Sequence, residues 1–308
     1  MCLVGTRAQV GATLADNDST QSPKTAMPPA PDATARLEHA LPDLARWAAC
    51  FRDAEIPVKA SSAEALEELR ANEDEVDANL IGETLAGDPL MTLKIMAYAS
   101  RHRPSRLVTD VETVTAAIVL MGIGPFFRAF GPQPTVEERL ADLPEALEGL
   151  QEVLRRAARG ARFALGFAVH RMDTDAAVVH EAALLHDFAE MLLWCHAPTL
   201  ALHIRDRQRA DATLRSSCVQ RELLNVELAD LQQALMKDWA LPELLVRISD
   251  DRNADHASVK TVMLAVRLAR HTARGWHNAA IPDDVRDIGA LLNLGTAPTQ
   301  KLLFELDE

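Results

Sequence analysis

Val178-Val179-His180-Glu181-Ala182-Ala183-Leu184-Leu185-His186-Asp187-Phe188-Ala189-Glu190-Met191-Leu192-Leu193-Trp194 decides the fold class. Wound at 3.6 residues per turn, this run is apolar around most of its circumference. It predicts a helix over about 175–195 in the middle of a helical bundle. The adjacent pair His186-Asp187 then lies in or beside the core. Imidazole and carboxylate are both good ligands for divalent cations, and a two-metal site can activate water against a phosphoester. Two residues are nevertheless too few, since catalytic zinc takes three protein ligands. His180 shares a face with Asp187, but two turns separate them by about 10 Å, so one ion cannot bridge them. The plainer alternative has His186 donating to a backbone carbonyl or to Glu190, with Asp187 paired to an arginine or capping backbone. Both readings stay open on the residues alone.

Helical patterning continues in both directions. Leu37, Leu41, Leu44, Trp47 and Ala48 recur at helical spacing, and Ile56-Pro57-Val58 ends that segment because proline restricts its neighbour and lacks a donor. Ser61-Ser62-Ala63-Glu64 offers a cap and an early carboxylate for the next helix. A helix over Val76–Ala86 stops at Gly87. Asp88-Pro89 opens another, with Asp88 as cap and Pro89 in the first turn. A further helix runs to Met121 and halts at Gly122-Ile123-Gly124-Pro125. Beyond it, helices are expected at about 150–171, 198–210, 217–237, 242–250, 256–275 and 282–293. No useful length alternates β-branched with polar residues, and there is a single Tyr, so strand signals are nearly absent. The fold class is all-α. The division expected is a disordered tail over 1–35, poor in large apolar groups, an N-terminal helical lobe over 36–130, an acidic connector over 131–149 with room for one short amphipathic helix, and a second helical lobe over 150–308.

With 308 residues, of which 48% are hydrophobic, the chain can bury a core. Its net charge of −13 argues against non-specific nucleic-acid binding. The local cluster Arg155, Arg156, Arg159 and Arg162 reads as a solvated helix face. Cys2, Cys50, Cys195 and Cys218 form no CxxC pair, which fits a reducing compartment. Cys195-His196 are neighbours whose side chains diverge on a helix, so a cysteine nucleophile has little support. No stretch approaches the roughly 20 apolar residues that cross a bilayer, and no signal-peptide layout opens the chain. A cytoplasmic protein without membrane insertion is the expectation.

Several segments, in order, resemble the HDOD (HD-related output domain) family of bacterial proteins. Ile56-Pro57-Val58 is similar to the family's opening, and Asp88-Pro89-Leu90 to its DPxL helix. Ala117-Ile118-Val119-Leu120-Met121-Gly122 resembles its A-I-x-x-L-G stretch. Ala182-Ala183-Leu184-Leu185-His186-Asp187-Phe188 resembles its A-G-L-L-H-D-I-G helix, and Trp239-Ala240-Leu241-Pro242 its W-G-L-P turn. The resemblance spans about residues 56–275 and implies a multi-helix HD-like bundle.

The departures bear on function. Catalytic HD proteins supply a first histidine at a slot that falls near Arg156-Ala157. Where relatives often carry a His-His pair this chain reads Asp250-Asp251-Arg252-Asn253, and the upstream H-x-x-x-G slot reads Leu228-Ala229-Asp230-Leu231-Gln232. The resemblance therefore implies a vestigial pair, His186 and Asp187, with no catalytic residue, bound metal or cofactor. It implies a non-catalytic signal-transduction or regulatory module acting through an unidentified protein partner or a small ligand, with room for a homodimer. The rival readings are a metal-dependent phosphohydrolase recruiting His180, Glu181, His203 or Asp206, and a structural subunit of a signalling assembly.

Overall fold

A computed structural model of the protein describes residues 36–103, 111–211 and 213–308; the tail expected over 1–35 lies outside them. Helix α1 spans Leu44–Arg52, α2 Ala60–Ala71, α3 Ala78–Leu85, α4 Pro89–Arg101, α5 Val114–Met121, α6 Ile123–Ala129 and α7 Val136–Arg139. The 27-residue α8, Pro144–His170, follows, then α9 Ala176–Leu184, α10 Phe188–His196, α11 Pro198–Ala210, α12 Ser216–Leu224 and α13 Leu228–Asp238. The series closes with α14 Glu243–Ile248, α15 Ala257–His271, α16 Ile281–Leu292 and α17 Thr296–Asp307. Among the described residues the only extended pairing is one parallel bridge, Val58 to Thr135. The all-α expectation holds.

Local chemistry explains most boundaries. Asp88 accepts hydrogen bonds from the backbone of Leu90 and Met91, with Pro89 in the first turn of α4. Asp88 also takes the Lys59 N–H at 2.8 Å, tying the start of α2 to α4. The cap expected at Ser61-Ser62 is not used. Helix α2 begins one residue earlier, and its first N–H, from Ala60, goes to Glu137. The helix expected from Leu37 begins only at Leu44, because Asp43 caps it by accepting the Arg46 N–H. The helix expected over 217–237 is two helices. Asn225 adopts a left-handed conformation (φ 62°) at the end of α12 and donates to the Leu41 carbonyl, a geometry asparagine tolerates better than most residues. The acidic stretch 131–149 carries the short helix α7, on which Thr135 and Glu138 form a reciprocal capping box, and α8 starts at Pro144 rather than near 150.

Helix α8 is the axis of the bundle. Helices α9, α10, α11, α15 and α17 pack along it, and Phe163 and Phe167 are fully buried on its inner face. Two indoles lock α1 to the C-terminal helices: Trp47 donates to the Leu224 carbonyl at 2.8 Å, and Trp239 to the Arg52 carbonyl at 3.1 Å. The described residues from Arg36 to Glu308 accordingly belong to one compact unit. Close approach of α8 to α10 depends on Gly149, where a methyl group would sit 2.4 Å from the Trp194 ring. Helix propensity alone favours Gly149→Ala by about 1 kcal/mol. Overpacking against a ring 3% exposed costs about 1–3 kcal/mol. Gly149→Ala is expected to lower the melting temperature, and a higher one would show that the ring yields freely.

Candidate functional site

The long helix expected over 175–195 is broken at the residues that matter most. Helix α9 ends at Leu184 and α10 starts at Phe188. Between them the backbone tightens to i→i−3 bonds, His186 N–H to Ala183 and Phe188 N–H to Leu185. His186 and Asp187 therefore leave the helical face and project from a turn. The 10 Å estimate from His180, which assumed one continuous helix, does not apply.

At this turn the Asp187 carboxylate is fully engaged. One oxygen takes a guanidinium N–H of Arg270 at 2.5 Å and faces His186 Nδ1 at 3.0 Å. The other takes two N–H groups of Arg156, at 3.0 and 3.3 Å. Arg156 also donates to Glu190 at 2.7 Å. The second ring nitrogen of His186 lies 3.0 Å from an Asp251 oxygen. Burial opposes charge on Asp187, but Arg270 and Arg156, with His186, outweigh it and hold the carboxyl well below its ordinary range. Burial likewise opposes charge on His186, and bonding to Asp187 and Asp251 overcomes this, raising it to about 9. Both ring nitrogens thus face carboxylate oxygens, contacts that favour the charged imidazolium. For Arg156 the order is the same: burial lowers, Glu190 and Asp187 raise, and the net shift is upward.

The sequence departures thus meet in space. Arg156 stands on the slot of the first histidine, Asp251 in the place of a His-His pair, and both touch the His186-Asp187 turn. Arg156 and Arg159 are correspondingly not on a solvated face. Arg159 pairs with Asp307, donates to the Thr272 carbonyl and lies over the Phe163 and Trp276 rings. Arg155 and Arg162 alone are exposed as expected. Arg270, on α15, was not foreseen. The only sequence signal for it is the unmatched carboxylate it neutralises.

The reserve ligands do not gather here. His203 and Asp206 are exposed on α11. Glu181 points toward α5, where it accepts the Val114 N–H at 2.7 Å, while its other oxygen is buried without a partner among the described residues. Burial raises its carboxyl to about 8, the Val114 bond acting against this. Burial lowers His180. Among the described residues, no three His, Cys, Asp or Glu side chains come together as a metal ion requires. Cys195 is fully buried, which raises its thiol to about 12. The neighbouring His196 is lowered to about 3, by burial and then by Arg139.

An all-α bundle with a His-Asp turn between two core helices defines an HD-related protein. The chain belongs to the HDOD family: the model of the HDOD domain matches residues 56–254. The match ends before α15, so Arg270 reaches Asp187 from a helix beyond it. Among solved structures, the MmoQ response regulator of Methylococcus capsulatus str. Bath is 18% identical. The alignment covers 82% of this chain and 99% of that one, at a TM-score of 0.60. A virulence factor of Campylobacter jejuni subsp. jejuni is 16% identical, with 86% and 98% covered and a TM-score of 0.58. At these identities the likeness concerns the fold. No curated protein matches by sequence. No helix among the described residues is long and apolar enough to cross a membrane.

Proposed function

We propose that this chain is a non-catalytic signal-transduction module of the HDOD family, acting through contact with a protein partner or a small ligand. The observation that carries this reading is the double occupation of Asp187 by Arg156 and Arg270. Guanidinium groups sit against the carboxylate that would hold a cation, so the turn is neutralised from within. The His186-Asp187 pair then serves packing: it joins α9 and α10 to α8 and α15 through charge-assisted hydrogen bonds, the stronger kind. The relative named a response regulator is consistent with a signalling role.

The test pairs elemental analysis with a phosphodiesterase assay. Purified without added metal and dialysed against a mild chelator, the protein is expected to carry no stoichiometric Mn, Fe, Zn or Ni. It is expected not to hydrolyse bis(p-nitrophenyl) phosphate or a cyclic dinucleotide above background. One retained equivalent of metal together with turnover that Asp187→Asn abolishes would establish the phosphohydrolase instead.

A further inference from the structure

Helix α8 keeps one face open along most of its length. A seam runs from Glu148 to Val169 at alternating spacings of three and four, the repeat of a helix that faces another helix, and no residue on it is buried. The C-terminal end of the seam is apolar. Leu165 is 38% exposed, Val169 61%, and Met172, which continues the spacing just past the helix, 87%. Large apolar groups gathered on one exposed face mark a contact surface. The rest of the seam is charged. Glu148, Arg155 and Arg162 are exposed and, among the described residues, make no hydrogen bond or ion pair within the chain. Arg162 is drawn only by the charge of Asp307.

We propose that this face pairs antiparallel with the same face of a second copy, about a two-fold axis between Arg155 and Ala158. The order of charges selects both the occupant and the direction. Laid antiparallel about that axis, Arg162 stands opposite Gln151 of the second copy and within one turn of its Glu148. Leu165 and Val169 then lie over the second copy's Glu148 stem and Pro144. Laid parallel, Glu148 would meet Glu148 and each arginine its own double, which excludes that direction. Ala158 stands near the axis, where a small side chain leaves room for the stem of the second copy's Arg155. The two Arg155 guanidiniums flank the axis and repel, so the dimer is reversible. Elsewhere a net charge of −13 keeps two copies apart, which confines association to this strip.

Sedimentation velocity of the full chain at low salt, from about 5 to 500 µM, tests this. A monomer–dimer equilibrium is expected, weakened about tenfold or more by Glu148→Arg or by Arg162→Glu. The double variant exchanges the two charges and is expected to return to within about threefold of the parent. Both side chains are exposed and unbonded, and melting followed by circular dichroism checks that each variant folds. A chain that stays monomeric throughout overturns the proposal and leaves the face to another protein or to water. A dimer indifferent to both single reversals, or losses that the exchange does not repair, places the contact elsewhere and overturns it as well. The His186-Asp187 turn meets α8 at Arg156, off this seam, so the non-catalytic reading neither requires the dimer nor falls with it.

Discussion

Asp187→Ala is expected to lower stability by about 3–5 kcal/mol, the range for removing one member of a buried ion pair. The cost follows from what remains. Arg156 keeps Glu190, but Arg270 and His186 each lose a charged partner at 2.5 and 3.0 Å. Arg270 is half exposed and can rehydrate, whereas Arg156 and His186 are largely withdrawn from water. Most of the loss therefore falls on those two. Pairing the change with Arg156→Met removes a charge that has lost its match and should return part of the stability. Chemical denaturation of the two single variants and the double variant measures that coupling. Additive losses would show that the Asp187-Arg156 contact contributes nothing of its own, and the account of the turn would fail.

How much of this was legible in the sequence differs from residue to residue. Asp88-Pro89 announced both a boundary and its cap, since aspartate followed by proline is local chemistry. The all-α class followed from periodicity alone. The break at His186-Asp187 was not legible: the run is apolar on both sides, and only tertiary ion pairs, to Arg156 31 residues before and Arg270 83 residues after, hold the polar pair in a turn. Arg156 stands in a histidine's slot, yet its cluster reads as a solvated face because three nearby arginines share the helix. Helix α6 went unseen because Gly122 (φ 79°) ends α5 and α6 starts at the next residue. Helix α17 has little amphipathic pattern. It is held by Leu303 in the core and by Asp307 on Arg159, partners that spacing does not reveal.

Raising the pH from about 6.5 to 8.5 is expected to destabilise the fold in two overlapping steps, after the opposite drift of His180 and His196, whose lowered imidazoles favour folding as the pH climbs to about 6.5. The first belongs to Glu181, whose carboxyl stands near 8 when folded and about 4.3 when unfolded. Between those values the unfolded chain has released its proton and the folded chain has kept it, so rising pH favours unfolding. The second belongs to His186, raised to about 9 from about 6.5 in the unfolded chain. Its stabilisation is complete below the unfolded value and is lost as pH climbs through the folded one. Asp187 runs the other way. Its depressed pKa adds stability above the ordinary carboxylate range, and that stability is lost in acid. Glu181→Gln separates the steps, because a glutamine oxygen still accepts the Val114 N–H and no proton is at stake. The variant should match the parent near pH 4 and exceed it by at least about 1.4 kcal/mol at pH 8, the worth of one unit of pKa difference. Above about pH 6.5, of these two declines only the one owed to His186 should remain. Stability–pH curves from urea titrations decide the matter: parallel curves for parent and variant across pH 5–8 would mean that Glu181 ionises normally in the folded protein.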